Sequence, residues 1–203
     1  MSPGEIARSL ARFAAATLYE AMGKSGAVLP PIRPILPRSR LAGIAYTVRV
    51  LPAETAAVIR ALDEAPPGAV LVIDTGDSGV ASVWGGTSSL AASLRGLGGC
   101  VTNGYVRDVD EIIDIGFPVY AGGVAVTGTL KNHPGWNSLP VAIGGVPVRP
   151  GDYVIGDSDG VVVVPQEDGE RTIAAAEAQR AKEDARDARI RAGESMAVVV
   201  GLR

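Results

Sequence analysis

Apolar positions in this chain come in short blocks bounded by Gly and Pro, and the blocks predict interleaved helices and strands. Between residues 6 and 22, Ile6, Leu10, Phe13, Leu18 and Met22 fall on one broad face of an Ala-rich segment, the pattern of one or two short helices. Gly23 is placed to stop them. Residues 29–37 hold four prolines and predict an extended connection. Residues 41–51, rich in β-branched and aromatic side chains, predict a strand. A helix is expected over 55–65, closed by the turn Pro66-Pro67-Gly68. Residues 69–74 form a short apolar run suited to a strand buried on both faces. The Gly-rich turn Trp84-Gly85-Gly86-Thr87-Ser88-Ser89 leads into a predicted helix over 88–95, which Gly96-Leu97-Gly98-Gly99 ends. Residues 100–103 predict the next buried strand, 108–115 a short helix or turn, and 119–126 a strand. Residues 141–148, 152–155 and 160–165 predict further strands joined by Gly and Pro turns. Residues 167–192 predict a long Ala/Glu/Arg/Lys helix with a solvated face laced by i,i+4 ion pairs. That helix has too little apolar surface to build a core, so it lies on the outside or packs on a neighbour.

Helices separate the middle strands and tight turns join the later ones, which implies a layered α/β domain with a mixed sheet. A length of 203 residues fits one domain, 1–203. With 47% hydrophobic and 20% charged residues, the chain has the composition of a packed globular domain. The net charge of −3 and the lack of a Lys/Arg-rich run argue against direct nucleic-acid binding through phosphates. The one cysteine, Cys100, excludes a disulfide framework, favours a cytoplasmic setting and sits where a small buried hydrophobe is expected. The N-terminal residues lack the pattern of a signal peptide, and no run approaches the ~18 apolar residues of a membrane span.

Candidate chemistry concentrates in Val101-Thr102-Asn103-Gly104-Tyr105-Val106-Arg107-Asp108-Val109-Asp110-Glu111. A cation beside an anion at the end of a strand can bind a carboxylate or a developing enolate while the carboxylate holds a hard metal ion. That pairing suits 2-oxo acids. Cleaving their C3–C4 bond leaves charge on the C2 oxygen, which a divalent metal and an Arg both stabilise. Asp108 is the candidate metal ligand and Arg107 the candidate catalytic and substrate-binding cation. Gly85, Gly86, Thr87 and Ser88 are candidates to hold the substrate carboxylate through free N–H groups at a helix start. Glu111 reaches the same face through metal-bound water if the turn is helical. Carboxylate ligands and a sole histidine, His133, point to Mg²⁺ or Mn²⁺.

The combination Trp84-Gly85-Gly86 and Arg107-Asp108-x-x-Glu111 resembles the signature of the RraA-like family. That family includes class II 4-hydroxy-4-methyl-2-oxoglutarate/4-carboxy-4-hydroxy-2-oxoadipate aldolases and the regulator of ribonuclease E activity A. Further blocks match in family order: Thr17-Leu18-Tyr19-Glu20-Ala21-Met22-Gly23, Leu41-Ala42-Gly43-Ile44-Ala45-Tyr46-Thr47-Val48, Ala65-Pro66-Pro67-Gly68, Gly116-Phe117-Pro118-Val119, Arg149-Pro150-Gly151-Asp152 and Asp157-Ser158-Asp159-Gly160-Val161. The resemblance covers roughly residues 15–170, the core of the domain, and implies a swivelling β/β/α fold, a homotrimer or dimer of trimers, and a site at the subunit interface. It assigns the roles given above to Arg107, Asp108 and Glu111. The function it implies is metal-dependent C–C cleavage of a 2-oxo acid through a pyruvate enolate, by retro-aldol reaction or oxaloacetate decarboxylation. A non-catalytic regulator of protein partners is the alternative. One position departs. The family's aldolases carry Asp or Glu where this chain has Gly86, so one carboxylate is missing. Asp74 and Asp77 are candidates to compensate, and Glu194 to act as the carboxylate that a neighbouring subunit's tail contributes.

Simpler readings stand beside these. An isolated Arg-Asp pair is usually a surface ion pair of little worth. Thr87 and Ser88 can serve as helix caps. Asp152, Asp157 and Asp159 fit turns between strands better than a metal cluster. His133 is expected at solvent or an interface, Trp84 in packing, and Glu20 in a structural role.

Overall fold

Every residue of the apolar run Ala69–Asp74 lies inside. In the computed structural model, which describes residues 1–76 and 81–202, this strand sits near the centre of a large mixed sheet. In chain order the elements are α1 Pro3–Leu10, α2 Ala15–Ala21, β1 Arg33–Pro34, β2 Leu41–Arg49, α3 Ala56–Glu64, β3 Ala69–Asp74, β4 Ser82–Trp84, α4 Gly86–Leu94, β5 Gly99–Thr102, β6 Tyr105–Val106, α5 Val109–Ile115, β7 Val119–Ala121, β8 Gly123–Val124, β9 Trp136–Asn137, β10 Val141–Ile143, β11 Val146–Val148, β12 Tyr153–Asp157, β13 Gly160–Val164, α6 Gly169–Arg191 and α7 Met196–Val199.

The large sheet runs β1-β7-β5-β3-β2-β12-β13, with β9 also pairing on β2. β2, β3, β5 and β7 are parallel, while β12 joins β2, and β13 joins β12, antiparallel. Because side chains alternate along a strand, β3 feeds two cores. Leu71 and Ile73 pack with α3, α4 and α5 around Val58, Ala92 and Ile112. Val70 and Val72 face the opposite way, toward Tyr120, Ile143, Val148 and Val154. A third cluster joins α1, α2 and α6 to β12 and β13 through Leu10, Leu18, Ala176, Tyr153 and Val164. The sheet curls until it nearly closes. The buried Tyr120 hydroxyl on β7 lies 2.9 Å from the carbonyl of Asp157 at the end of β12 and 3.0 Å from that of Ser39. Burial pushes this phenol's pKa well up, so it stays a neutral donor.

The N-terminal helical segment divides into two helices, and the first starts earlier than its apolar face suggests. Ser2 and Glu5 form a reciprocal capping box with Pro3 in the first turn. The stretch expected to form one strand over 119–126 is β7 and β8, broken at Gly122. A Cβ there would fall 2.5 Å from the carbonyl oxygen of Asn103, so the chain steps past its neighbour only as glycine. That step and Asn103-Gly104 after β5 lead into a second parallel sheet, β4-β6-β8, beyond the ends of β3, β5 and β7. Residues 141–148 form the hairpin β10–β11, turning at Gly144-Gly145 with positive φ at both.

α6 lies on the outside, as expected. It buries Gly169, Thr172 and Ala176 and is tied to α2 by Thr17 Oγ1 donating to Glu183 at 3.0 Å. The expected lacing by i,i+4 ion pairs is corrected. Among the described residues its i,i+4 contact is a Gln179–Glu183 hydrogen bond, and Arg171 pairs with Asp168 instead. No helix among the described residues is long and apolar enough to cross a membrane.

Candidate active site

The second sheet delivers the candidate residues. β4 ends in Trp84 and hands directly to α4 through Gly85; β6 ends in Val106 and hands to α5 through Arg107 and Asp108. Both turns therefore lie beyond the carboxyl ends of parallel strands, where open α/β sheets place their ligands. Trp84 is 2% exposed, stacks on Phe117 with centroids 5.9 Å apart, and donates from Nε1 to Ser89 Oγ at 2.8 Å. It is a packing residue, as the sequence indicates, and it fixes the start of α4.

α4 begins at Gly86, two residues before the expected start, with Gly85 at the cap position. Thr87 and Ser88 are consequently helical residues and not caps. The cap comes from elsewhere in the chain: Asp108 Oδ2 accepts the Gly86 N–H at 3.2 Å. Asp108 adopts the left-handed conformation, φ 57° and ψ 44°, a state that Asp tolerates better than most residues and that turns its carboxylate toward α4. The Gly86 amide is thus already engaged. The first-turn amides of Thr87 and Ser88 have no partner within the helix, by the geometry of every helix start.

Arg107 Nε lies 3.5 Å from Asp108 Oδ2, with the two side chains 49% and 38% exposed. Its guanidinium extends toward the 128–131 loop, and a Cβ on Gly128 would lie 3.4 Å from Nη1. Glu111 sits in the first turn of α5, so the turn is helical as its proposed reach requires. Its carboxylate presses against Gly86 instead of lining the cavity beside Arg107.

That cavity has a volume of about 450 Å³. Gly85, Thr87, Ser88, Arg107 and Asp108 line one side; Val58, Ile59 and Leu62 of α3 and Lys131 line the other. The sequence reading missed α3 and Lys131. Their place depends on pairing between distant segments: Leu130 N–H donates to Ala53 O at 2.7 Å, Thr55 N–H to Leu130 O at 3.0 Å and Asn132 N–H to Glu54 Oε2 at 2.9 Å. Only the long apolar face of α3 hinted at a wall.

Several expected or considered roles resolve differently. Asp74 does not compensate at the site. It is 2% exposed, paired with Arg49, and its Oδ1 accepts Asn103 Nδ2 at 2.9 Å and Gly76 N–H at 2.8 Å. Asp77 lies outside the described residues. Replacing Asp74 with Asn puts an amide donor among these donors, and urea unfolding is expected to show a loss of about 1–3 kcal/mol. Glu194 pairs within its own chain, with Arg189 at 2.6 Å, which holds its carboxyl below the usual range. Asp152 accepts the N–H groups of Arg149 and Gln166, and Asp157 those of Ala15 and Asp159, so both are turn and cap residues. His133 Nδ1 accepts the Gly135 N–H at 3.0 Å and its ring meets Trp136 away from the cavity. Glu20 is exposed on α2. Cys100 is fully buried, and burial pushes its thiol pKa up, which makes it inert. No three His, Cys, Asp or Glu side chains converge among the described residues.

The profile of the RraA-like family, described as Aldolase/RraA, matches residues 15–163. The chain belongs to the RraA-like family. Its relatives carry names of several kinds. A 4-hydroxy-4-methyl-2-oxoglutarate aldolase of Thermus thermophilus is 32% identical over 129 residues, covering 64% of this chain and 78% of that protein. Among solved structures, an uncharacterized protein from Pseudomonas syringae superposes with a TM-score of 0.86 at 26% identity, covering 98% of this chain and 94% of the other. Streptomyces coelicolor RraAS2, described as an unusual member of the RNase ES inhibitor RraA family, gives 0.81 at 28% identity over 93% and 98% of the two chains. The α/β architecture with its curled mixed sheet is therefore an RraA-like fold, and lyase activity is represented in the family.

Proposed function

We propose that this RraA-like protein is a divalent-metal-dependent lyase that cleaves a C–C bond of a 2-oxo acid. The observation carrying the reading is the convergence of Arg107, Asp108 and the first turn of α4 at one side of a cavity. The substrate class is a 4-hydroxy-2-oxo acid, cleaved by retro-aldol reaction, or oxaloacetate, which loses CO₂. In both, the C3–C4 electron pair moves to C3 and is shared with the C2 oxygen as an enolate. Protonation at C3 then gives pyruvate. In the retro-aldol case the C4 hydroxyl gives up its proton as the new carbonyl forms.

Arg107 binds the substrate and stabilises the enolate oxygen. The Thr87 and Ser88 amides, aided by the extended backbone at Gly85 just before Gly86, hold the C1 carboxylate. A hard cation fits the donors: Asp108 offers a half-exposed carboxylate whose Oδ1 has no hydrogen bond among the described residues. Mg²⁺ or Mn²⁺ held there, with Glu111 acting through its water, would supply Lewis acidity at the C1 carboxylate and C2 oxygen. A homotrimer or dimer of trimers is the proposed assembly. The exposed Val124, Val126, Leu130, Trp136 and Leu139 beside the 128–131 loop support it, and light scattering gives the subunit count. The proposed setting is cytoplasmic.

Purified protein is expected to release pyruvate from oxaloacetate or from 4-hydroxy-4-methyl-2-oxoglutarate with Mg²⁺. Release should stop on chelation and return with added metal. No release from either substrate defeats the proposal. A second reading, a non-catalytic regulator of protein partners, is favoured by the near full-length likeness to RraAS2 and by the sparse ligand set. It predicts no metal binding and retention of a ribonuclease in pull-downs.

A further inference from the structure

One face of α3 forms the cavity wall opposite Arg107. Thr55, Val58, Ile59 and Leu62 all line the cavity, at the i, i+3, i+4 and i+7 spacing of a single helical stripe. Val58 and Leu62 are buried members of the core beneath α3, so packing fixes their place. Ile59 is 41% exposed although it lines the cavity, so much of its surface is open for a bound group to cover. The charged groups on this wall are Asp63 and Lys131, both exposed and opposite in sign. A second substrate carboxylate brought here gives up water to three aliphatic side chains and meets Asp63 as well as Lys131. One polar pair interrupts the apolar wall. Thr55 Oγ1 lies 3.0 Å from Thr129 Oγ1 and donates to the Leu130 carbonyl at 3.2 Å, and both threonines line the cavity. With its one proton directed at Leu130, Thr55 accepts from Thr129, and the Thr129 oxygen keeps an acceptor position for a donor in the cavity. A hydroxyl group fits that position. A carboxylate, which has no proton to give, does not.

We infer that the cavity selects 4-hydroxy-2-oxo acids whose C4 carries an alkyl group in place of a second carboxylate. The C4 hydroxyl donates to Thr129, and the alkyl group lies on Val58, Ile59 and Leu62. The inference rests on the lyase reading above and deepens it by naming the group that leaves. Retro-aldol cleavage of such a substrate needs no further reactant. The C4 hydroxyl loses its proton as the new carbonyl forms, C3 takes up a proton, and the products are pyruvate and an alkyl aldehyde or ketone. Oxaloacetate has no C4 hydroxyl for Thr129 to receive, so the same wall favours retro-aldol cleavage over decarboxylation. Ile59 and Thr129 are then the residues that set specificity, one by apolar contact and one by accepting a hydrogen bond.

The test compares kcat/KM for pyruvate release, with Mg²⁺, across 4-hydroxy-2-oxopentanoate, 4-hydroxy-2-oxohexanoate, 4-hydroxy-2-oxoheptanoate and 4-hydroxy-2-oxoglutarate. The value is expected to rise about three- to tenfold with each added methylene and to exceed that of 4-hydroxy-2-oxoglutarate by about tenfold or more at the longest chain. Calorimetric binding of 2-oxoheptanoate and 2-oxoglutarate, which have no C4 hydroxyl and cannot undergo retro-aldol cleavage, should give the same order without turnover. Ile59→Ala is expected to flatten the dependence on chain length, and Ile59→Lys to invert the preference toward 4-hydroxy-2-oxoglutarate. Ile59 is too exposed for either change to unfold the chain, and an unchanged urea midpoint checks this. Thr129→Val keeps the side-chain shape and should lower kcat/KM for the 4-hydroxy acids about fivefold more than for oxaloacetate, a difference that a purely structural defect does not produce. A wild-type preference for 4-hydroxy-2-oxoglutarate overturns the inference, as does a preference for alkyl substrates that Ile59→Lys leaves in place. Pyruvate from oxaloacetate or 4-hydroxy-4-methyl-2-oxoglutarate but from no alkyl substrate leaves the lyase reading standing and defeats this one. Pyruvate from none of these substrates defeats both.

Discussion

Arg107→Ala is expected to lower the rate of pyruvate release about 10³-fold, the upper end of what loss of one donor to a developing oxyanion costs. That corresponds to about 4 kcal/mol of transition-state stabilisation. The fold should hardly notice. Arg107 is half exposed, and its 3.5 Å contact to Asp108 is a surface ion pair of about 0–1 kcal/mol. A large loss of rate with an unchanged urea midpoint therefore separates a catalytic role from a structural one. Asp108 needs a more careful substitution. Its left-handed φ of 57° makes alanine strained, so part of any loss in Asp108→Ala comes from the backbone. Asn tolerates that conformation and removes the charge, so Asp108→Asn should cut activity as deeply as Arg107→Ala and make it insensitive to added Mg²⁺. Steady-state pyruvate assays with a metal titration measure both. Wild-type rates in the two variants would remove the pair from the mechanism.

The parts of this molecule that the sequence made legible are those decided locally. β2, β3 and β5 are apolar runs closed by Gly or Pro, and α3 ends at Pro66-Pro67-Gly68, so their places follow from nearest neighbours. Strands β4, β6 and β8 have two or three residues each, too few to show a period. They exist because three distant segments run side by side past the ends of β3, β5 and β7. The candidate site divides in the same way. Arg107 and Asp108 stand out as a motif. The start of α4 does not, because a Ser or Thr cap is the usual local signal and here the cap is Asp108, from another turn. Glu111 was visible as an acid in a short helix. Its overlap with position 86 depends on how α4 and α5 approach each other, which no local pattern encodes.

Trp84→Ala should produce the largest loss of stability, about 3–5 kcal/mol, the range for removing a buried aromatic side chain. The residue is 2% exposed and belongs to the core cluster under α3, α4 and α5. Its ring stacks on Phe117 just beyond α5, and its Nε1 donates to Ser89 inside α4. One side chain thus braces both helices whose first turns carry the candidate site. Trp84→Phe keeps the stack and loses the hydrogen bond, so it is expected to cost about 1–2 kcal/mol, with a Ser89 hydroxyl left buried. Urea unfolding orders the two variants. The order matters for function as well as for stability. If Trp84 sets the approach of α4 to α5, the cavity in Trp84→Ala widens and the Asp108–Gly86 contact is lost. Activity and Mn²⁺ affinity then fall together even below the unfolding transition. A variant that loses the expected stability but keeps wild-type Mn²⁺ affinity would show that the Arg107–Asp108 turn holds its shape without this brace.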